Sequence, residues 1–333
     1  MGHFDDLSCR RSAWTLPDGP RNVSAETRHP GNLDVLSQPC VLCGGSTALL
    51  YDDCTDFEYF MTAPGDLYRC VQCGLVAMEP MPTREELPGL YPAEYHNLDT
   101  PKNPVARSLL RRYQRRQADI CRTHLPPDGR ILEIGCATGD VLAELAGEYP
   151  VVQGIELSEE ACAVARARGL DVFCGTLEEF ETHQQYDVVF MSHVIEHVLD
   201  PVATVAIIER LLAPGGVLYL ETPNVGSLDA RVWKQRWGLI HYPRHLYLFD
   251  RSTVTALLES AELQSEGVRW EPNSCGWALS VQSWLRRRGL DHSRAPRSKY
   301  YPVLLLLFLP LNALDALLGG TAFMSAVGRK ARA

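Results

Sequence analysis

The chain has 333 residues, of which 46% are hydrophobic and 22% are charged, so it is long enough to bury a sizeable core in one large domain and a small one. Its 32 basic and 41 acidic side chains leave a net charge of −9, which argues against a protein that binds a nucleic-acid backbone. The first thirty residues contain no apolar segment of the secretory-signal type, so we expect a cytoplasmic protein with reduced cysteines.

Two cysteine motifs dominate the N-terminal part. Residues 1–36 carry Pro, Gly, Ser and charge without periodicity and are predicted to form a flexible arm. Residues 37–80 hold two C-x-x-C-G segments, whose thiols belong to Cys40, Cys43, Cys70 and Cys73. Four thiolates on two tight turns satisfy tetrahedral zinc with no open position, so we predict a structural Zn²⁺ site in a small zinc-binding module. Disulfides in a secreted protein, or a chance spacing among many cysteines, are the alternatives.

A Pro-rich connector follows at 81–104, and its Tyr91 and Tyr95 are candidates either for a lid over the site or for packing aromatics. From Pro104 to His124, apolar residues recur at three- and four-residue steps, which predicts a helix. The arginine run at 111–116 falls mostly on the opposite face. We interpret this run as the solvated side of a helix packed on the core, rather than as a nucleic-acid contact.

Short apolar segments alternate with helical segments after Gly129. Strands are predicted at 130–135, 151–156, 170–175, 186–192 and 216–222, and a last strand is predicted at 320–330. This alternation is typical of a parallel sheet with helices on both faces. We therefore predict an α/β fold with a doubly wound sheet.

The first predicted strand of this region leads into a loop of small residues. ILEIGCATGD (Ile131 to Asp140) has the pattern E-x-G-x-A-x-G, whereas a dinucleotide site requires G-x-G-x-x-G around a pyrophosphate. Glu133 would repel a pyrophosphate but would suit a ligand with a cationic sulfonium and an ammonium group. Glu156 ends the second strand about 20 residues later, where a carboxylate can bind both ribose hydroxyls. Together these features predict a nucleoside site, although glycine-rich links also occur without ligands.

The segments EIGCATG, GIELS, YDVVFMSHVIEHVLDP and LLAPGGVLYLETPN resemble those of class I S-adenosylmethionine (SAM)-dependent methyltransferases over roughly residues 105–330. The resemblance implies a Rossmann-like, doubly wound sheet of seven strands within a core at 105–333, and SAM as the cofactor. It assigns thirteen residues to cofactor binding: Glu133, Gly135, Cys136, Ala137, Gly139, Glu156, Leu157, Gly175, Thr176, Leu177, Ser192, His193 and His197. Ala137 replaces a glycine that is usual in the family.

A zinc module ahead of such a core is similar to the sugar C-methyltransferases that act on nucleotide-linked ketosugars. That group carries a pattern like YHEHLSYFS after the fifth strand, and this chain has YPRHLYLFD at 242–250. Tyr242 and His245 match the pattern, whereas Pro243 and Arg244 replace a His-Glu pair. The acceptor is therefore expected to be a small biosynthetic intermediate, such as a nucleotide-linked sugar, and an O- or N-methyltransferase of another natural product is the alternative.

Methyl transfer to a protonated nucleophile needs a base, and histidine titrates near neutrality. The predicted catalytic residues are His245 and then His241, with Tyr242 beside them; His193 and His197 lie nearer the cofactor. An RNA methyltransferase is a more distant alternative, because the chain is acidic and lacks an N-P-P-Y-type segment after the fifth strand.

An apolar run at 303–318 stands within a predicted helical insertion at about 275–319. It is shorter than the roughly 20 apolar residues that a membrane span requires and contains Pro310, Asn312 and Asp315. We expect a buried or interfacial helix that packs in the chain or forms a homodimer contact. Peripheral membrane contact is the second expectation.

Overall fold

The computed structural model describes residues 39–60, 62–91, 104–271, 273–292, 297–298, 300–318 and 320–332, with the backbone alone at 104–106 and 109. These residues fall in one compact unit, Asp34–Ala333. The predicted arm at 1–36 and half of the connector, residues 92–103 with Tyr95, lie outside the described residues.

The N-terminal part folds as a small antiparallel sheet. Its strands are β1 (Thr47–Cys54), β2 (Gly65–Cys70) and β3 (Val76–Glu79), which pair in that order. Each C-x-x-C-G segment lies at one end of this sheet, where the chain turns sharply. A short 3-10 helix at Leu87–Leu90 ends the described part of the connector.

The larger part contains nine helices and eight strands among the described residues. In chain order they are α1 (Pro104–His124), β4 (Arg130–Ile134), α2 (Asp140–Leu145), β5 (Val151–Glu156), α3 (Glu159–Ala167), β6 (Asp171–Cys174), β7 (Tyr186–Ser192), α4 (Pro201–Leu211), β8 (Leu212–Pro223), α5 (Leu228–Trp233), β9 (Tyr247–Leu248), α6 (Arg251–Ser260), β10 (Gln264–Glu271), α7 (Cys275–Arg287), α8 (Tyr301–Leu307), α9 (Leu309–Leu317) and β11 (Phe323–Arg329).

Seven of these strands form the central sheet in the order β10-β11-β8-β7-β4-β5-β6. The strands from β4 to β8 are parallel, while β11 is antiparallel to both β8 and β10. The predicted α/β, Rossmann-like sheet of seven strands is therefore confirmed. The strand order reverses between β4 and β7, and this switch point is where ligands bind in such sheets.

Among the described strands of the central sheet, β10 is the one that the sequence pattern did not predict. Its sequence, QSEGVRWE, has only two apolar residues, and most of its side chains are exposed or half-buried. It lies at the edge of the sheet and pairs only with β11 among the described strands. An edge strand of this kind needs no continuous apolar run, so its sequence gives a weak strand signal.

Helix α1 packs on the sheet as its periodicity predicts. Gln117, Ala118 and Cys121 are buried, whereas Arg115 and Arg116 on the other face are exposed. Beneath the helix, Phe190 of β7 stacks on Tyr219 of β8 with ring centroids 5.5 Å apart. The arginine run therefore lies on the solvated face.

The small N-terminal sheet is completed from within the larger part of the chain. Strand β9 pairs with β3 through Val76–Leu248 and Ala77–Tyr247, which gives a four-stranded sheet β1-β2-β3-β9. The segment predicted to form the acceptor site thus runs directly into the sheet that carries the cysteines. This pairing fixes the cysteine module against the loop that follows β8.

Helices α7, α8 and α9 lie between β10 and β11. Pro310 in the first turn of α9 divides the apolar run into two helices, because proline has no N–H to continue the preceding helix. The apolar side chains are not buried in the chain. The exposed ones are Val303, Leu306, Leu307, Leu309, Leu314, Leu317 and Leu318.

The buried residues of α9 are instead Asn312 and Asp315, which bond to Ser274 and to the Trp277 indole. The run therefore packs in the chain through these polar residues and through Phe308, which stacks on Trp277 with ring centroids 5.8 Å apart. Its exposed apolar side chains are the part that the expectation of a buried helix gets wrong. Contact of the apolar face with a second copy or a membrane surface stays a prediction. No helix in the described part of the chain has both the length and the hydropathy needed to cross a bilayer.

Candidate cofactor and catalytic site

The loop between β4 and α2 lies at the switch point and presents an open backbone surface. Gly135 (φ 73°) and Ala137 (φ 48°) adopt the left-handed conformation, and both are exposed. A Cβ on Gly135 would lie 2.5 Å from Cγ2 of Val194, so only glycine fits this turn. Gly139 (φ 75°) precedes the first residue of α2.

Cys136, in the same loop, turns its side chain inward. The residue is buried and belongs to an apolar cluster with Leu142, Cys162 and Val172. Only its backbone therefore faces the open surface of the turn.

Glu156 at the end of β5 fixes this loop. Its Oε2 accepts a hydrogen bond from the N–H of Ala137 at 2.9 Å, and its Oε1 accepts one from the N–H of Ser158, also at 2.9 Å. The side chain is half-buried, so the carboxylate holds the loop while part of it faces solvent. This is the position where a carboxylate can bind ribose hydroxyls.

Glu133 on β4 is buried beneath the loop. Its Oε2 has no hydrogen-bond partner among the described residues, although the residue is only 6% exposed. Burial raises the pKa of this carboxyl well above its ordinary value, and the neighbouring carboxylates of Asp140 and Glu156 raise it further. A buried carboxyl oxygen without a partner is costly, so a cationic ligand group at this place would satisfy it.

The predicted adenine-binding residues form the opposite wall. Leu157 is 65% exposed, which is unusual for a large apolar side chain directly after a strand, whereas Leu177 is buried. Gly175 and Thr176 are half-buried, and Thr176 begins a 3-10 turn in which it forms a capping box with Glu179. These residues bring apolar surface and backbone groups to the carboxyl ends of β5 and β6.

Ser192 and His193 end β7. Ser192 Oγ accepts a hydrogen bond from Gln117 Nε2 at 3.0 Å. His193 has a left-handed backbone (φ 54°), and its N–H bonds to the carbonyl of Glu221 at 2.8 Å. Its Nδ1 lies 3.4 Å from Glu196 Oε1, and its Nε2 lies 3.9 Å from Glu221 Oε1.

The electrostatic setting of His193 favours its charged form. Burial alone would lower the pKa of its imidazole, but the carboxylates of Glu196 and Glu221 outweigh this effect and raise the pKa above its ordinary value. The side chain is nevertheless 37% exposed. The His193 imidazole is thus accessible to solvent and lies beside the carboxylates of Glu196 and Glu221.

Three further histidines form a packed cluster with each other. The rings of His197 and His245, and those of His241 and His245, have centroids 4.8 Å apart in edge-to-face geometry. His245 is 6% exposed, and its two ring nitrogens contact the carbonyl of Leu239 at 2.9 Å and His241 Nδ1 at 3.3 Å. Burial lowers its pKa well below the ordinary value, and the charge of His241 acts in the same direction.

His197 is held by the two segments beside it. Its Nδ1 lies 2.9 Å from the carbonyl of Arg244 and 3.1 Å from the hydroxyl of Tyr91, so this tyrosine of the connector touches the cluster. Burial lowers the pKa of His197 to about 4, against the opposing carboxylate of Glu196. The structure brings His197, which is predicted to bind the cofactor, together with the catalytic candidates His241 and His245, and the role of each stays a prediction.

The side chain of Tyr242 faces the cysteine module. Its phenol packs against β2, where a Cβ on Gly65 would lie 2.2 Å from Tyr242 Oη. Burial raises its pKa to about 12. Tyr242 therefore contacts the cysteine module, and its predicted catalytic role stays untested.

Arg244 is fully buried, and it too binds the cysteine module. Its Nη2 donates to Asp56 Oδ1 at 2.8 Å and its Nη1 to Asp56 Oδ2 at 3.2 Å, while the guanidinium lies 4.7 Å from the ring centroid of Tyr59. The guanidinium is therefore committed to a bidentate pair with Asp56, in which both hydrogen bonds are charge-assisted. This residue replaces an acid of the sugar-methyltransferase pattern, and here it joins two parts of the chain.

Glu58 comes from the same loop as Asp56 and reaches the histidine cluster. Its carboxylate contacts His241 Nε2 and also pairs with Arg297. Burial would raise the pKa of Glu58, but His241, Arg297 and Arg244 outweigh it and lower the pKa to about 2. Sequence reasoning missed Asp56 and Glu58, because they stand about 185 residues before their partners and belong to no motif.

Sequence reasoning also missed the hydrogen bonds that two polar residues on the inward face of α1, Tyr113 and Gln117, form with Glu221. Tyr113 Oη donates to Glu221 Oε1 at 3.2 Å, and Gln117 Nε2 lies 3.4 Å from Glu221 Oε2. A glutamine at an inward position of an otherwise apolar stripe is the signal that could have indicated this contact. These two residues hold the Glu221 carboxylate beside His193.

The four predicted metal ligands come together. Cys40 Sγ lies 3.6 Å from Cys73 Sγ, and Cys43 Sγ lies 3.4 Å from Cys70 Sγ; all four sulfurs lie within 4.8 Å of one another. The two turns have the same hydrogen bonds, from Gly44 N–H to the Cys40 carbonyl and from Gly74 N–H to the Cys70 carbonyl. Both glycines have positive φ, as the C-x-x-C-G pattern requires.

The thiols differ in acidity. Burial would raise the pKa of Cys70, but the backbone N–H groups of Cys73 and Gln72 and the Cys43 thiol outweigh it and lower the pKa to about 6. Burial raises the pKa of Cys40. The separations suit thiolates that share one ion at about 2.3 Å.

Known proteins that are similar to the chain include methyltransferases. A family model described as a methyltransferase domain matches residues 105–266. A ubiquinone biosynthesis O-methyltransferase from Bordetella bronchiseptica is 36% identical to the chain, over 46% of this chain and 71% of that protein. One of the same name from Aromatoleum aromaticum is also 36% identical, but the match spans only 28% of this chain and 44% of that protein.

Two solved structures are also similar. A SAM-dependent methyltransferase from Thermotoga maritima is 22% identical, with 67% of this chain and 91% of that chain covered at a TM-score of 0.44. A SAM-bound amino pentose methyltransferase from Micromonospora echinaspora is 29% identical, with 37% and 57% covered at a TM-score of 0.31. The fold assignment rests on the strand order and not on these overlaps. By its sequence similarity to the Bordetella protein, the chain belongs to the SAM-dependent methyltransferase family.

Proposed function

We propose that this protein transfers the methyl group of SAM to a hydroxyl of a small biosynthetic intermediate. The observation that carries the proposal is the buried Oε2 of Glu133, which has no hydrogen-bond partner in the described part of the chain and lies under an open, glycine-lined turn at the switch point of the sheet. The site requires a cationic ligand group there, and the amino-acid end of SAM provides one. The relatives named O-methyltransferases favour oxygen as the acceptor atom.

The residues present fit the cofactor. Glu133 would face its amino-acid end, Glu156 would bind the ribose hydroxyls, and Leu157 with Leu177 would enclose the adenine. When bound, SAM supplies an electrophilic methyl group on a positively charged sulfur. The protein then has to align the acceptor oxygen with that methyl group and to take up the hydroxyl proton, for which the histidines beside β7 and β8 are available.

We further propose that the four cysteines hold one structural Zn²⁺. Two turns with the same hydrogen bonds supply the four thiolates. Four thiolates complete the tetrahedral coordination of zinc, so no position is left for a substrate. The sheet that carries these turns also presents Asp56 and Glu58 to the loop after β8. Zinc would therefore act on catalysis indirectly, by keeping these acids in place.

A nucleotide-linked sugar is the second candidate acceptor, and the four-cysteine module ahead of the core favours it. The replacement of the expected acid by Arg244 weighs against enolate chemistry on a ketosugar, because the guanidinium is buried in its pair with Asp56. Methylation of a sugar hydroxyl, in contrast, would not pass through an enolate. Both candidates are thus compatible with transfer to oxygen.

The test is transfer of a labelled methyl group from SAM to two acceptor sets, phenols including catechol and nucleotide-linked sugars including UDP-4-keto-6-deoxyglucose. We expect a product one methyl group heavier, methylated on oxygen, in one set. The matched control is the Glu156→Ala variant, which should lose transfer at a SAM concentration that saturates the unaltered protein. Methylation of carbon or nitrogen would contradict the proposed acceptor atom, and transfer to neither set would contradict the acceptor class.

A further inference from the structure

The proposed transfer to oxygen requires a group that accepts the hydroxyl proton, so this inference rests on the proposed function. Four histidines lie near the carboxyl ends of β7 and β8. They differ in exposure and in how many of their ring nitrogens already contact other protein groups. His245 contacts neighbouring groups through both nitrogens and is nearly inaccessible. His241 is bound to Glu58, and its side chain is 17% exposed.

His193 differs from these residues in exposure and in position. More than a third of its side chain is exposed, and it directly follows β7, one of the two strands that flank the switch point. The next residue, Val194, packs against Gly135 of the cofactor turn. His193 therefore borders the crevice in which the methyl group would lie.

Two buried carboxylates hold the His193 ring from opposite sides. Glu196 lies 3.4 Å from Nδ1 and is itself fixed by the Thr222 hydroxyl, which donates to its Oε2 at 2.9 Å. Glu221 lies 3.9 Å from Nε2 and is fixed by Tyr113 and Gln117. The distance at Nε2 is longer than a hydrogen bond, which leaves that nitrogen open to an acceptor hydroxyl.

We infer that His193 is the catalytic base, that its Nε2 takes the hydroxyl proton, and that Glu196 and Glu221 are positioning residues. In this step the acceptor O–H bond breaks and its proton passes to Nε2. The oxygen lone pair forms the new bond to the methyl carbon as the carbon–sulfur bond breaks, and the electron pair of that bond stays on sulfur. The imidazolium carries the charge that the sulfonium loses, and the two carboxylates stabilise it.

The titration directions agree with this assignment. The pKa of His193 is raised, while the pKa of His197 is lowered to about 4 and that of His245 is well below its ordinary value. A base is most effective when its pKa lies near the working pH, so His197 and His245 would hold a proton poorly. The charged groups that face His193 are Glu196 on its own turn and Glu221 at the end of β8, with Glu271 of β10 and Tyr113 of α1 behind Glu221.

The first test measures methyl transfer against pH in the full chain, with catechol or the best acceptor of the screen. At a saturating concentration of SAM, His193→Gln should lower kcat by about 10²- to 10⁴-fold. His245→Gln is the rival variant and should keep the rising limb of the pH profile. The inference would be overturned if His193→Gln kept both kcat and the rising limb of the pH profile. It would also be overturned if only His245→Gln lost them.

The second test needs no acceptor, and it separates this inference from the proposed function. The pKa of His193 is followed by NMR of labelled imidazoles in the S-adenosylhomocysteine complex. It should lie above about 6.5 in the unaltered protein and fall in Glu196→Gln, because the stabilising anion is lost. Glu221→Gln is a second variant with the same expected direction, in case the first does not fold. A His193 pKa at or below the ordinary value, unchanged by either variant, would exclude it as the base even if methyl transfer is observed.

Discussion

The turn after β4 and the histidine cluster after β8 are the two halves of the proposed site, and they are built in different ways. The turn is local: Gly135, Ala137 and Gly139 lie within five residues, and Glu156 on the neighbouring strand completes it. The cluster is assembled from distant segments, since Glu58 contacts His241 from 183 residues away. The half proposed to bind the cofactor is therefore built from neighbouring segments, whereas the other half is held by residues of the cysteine module.

The strongest test of this difference is to remove the ion that we propose for the module. Cys43→Ser should lose the single zinc per chain and unfold the β1–β3 sheet, because binding of structural zinc contributes on the order of 10 kcal/mol to folding. Metal analysis and thermal melting measure both effects. Cys54→Ser is the matched control, since Cys54 is buried in β1 but stands outside the four-cysteine cluster, and it should retain the metal.

If the account is right, Cys43→Ser should abolish methyl transfer while the core still binds S-adenosylhomocysteine. A metal-free chain that keeps full transfer would contradict the dependence of the cluster on the module. Loss of cofactor binding along with the metal would contradict the autonomy of the turn.

Arg244→Met should have the next largest effect. It leaves the Asp56 carboxylate buried without its cation, and breaking such a pair costs about 3–5 kcal/mol of unfolding free energy. Denaturant unfolding measures the loss. Arg115→Met is the control, because the Arg115–Glu144 pair is exposed and should contribute less than about 1 kcal/mol. Equal effects of the two variants would show that Arg244 does not fasten the module.

Glu156→Ala tests the local half. Loss of the hydrogen bonds between the carboxylate and the ribose should weaken SAM binding by roughly 10- to 100-fold, at about 1.5–3 kcal/mol for a bond to a charged group. Calorimetry measures the affinity. Glu159→Ala, in the exposed first turn of α3, should leave it unchanged. An undiminished affinity in Glu156→Ala would refute the assigned ribose site.

The last prediction concerns stability at acid pH. The folded chain holds His197 with a pKa of about 4, below the value of the unfolded chain, so the unfolded state binds the proton first as pH falls. The unfolding free energy should therefore decrease from about pH 6.5 to pH 4, by at most about 1.4 kcal/mol per pH unit from this residue. His197→Gln should reduce that slope in urea titrations. An unchanged slope would mean that His197 is not held neutral.

The contrast between the two halves also explains what the sequence could predict. Strand alternation, the E-x-G-x-A-x-G loop and the C-x-x-C-G pairs are short-range patterns, and the sheet, the turn and the cysteine cluster follow them. The pairing of β9 with β3 and the ion pair of Arg244 with Asp56 depend on tertiary packing between distant segments, and no local spacing indicates them. Helices α8 and α9 misled the prediction because the apolar pattern suggests burial, while Asn312 and Asp315 are the residues with inward partners.

Whether the chain binds SAM is measured by calorimetric titration of the purified full-length protein. We expect one SAM molecule to bind per chain, with a measurable heat and a rise in melting temperature. A folded protein that shows neither a heat of binding nor a thermal shift with SAM would contradict it.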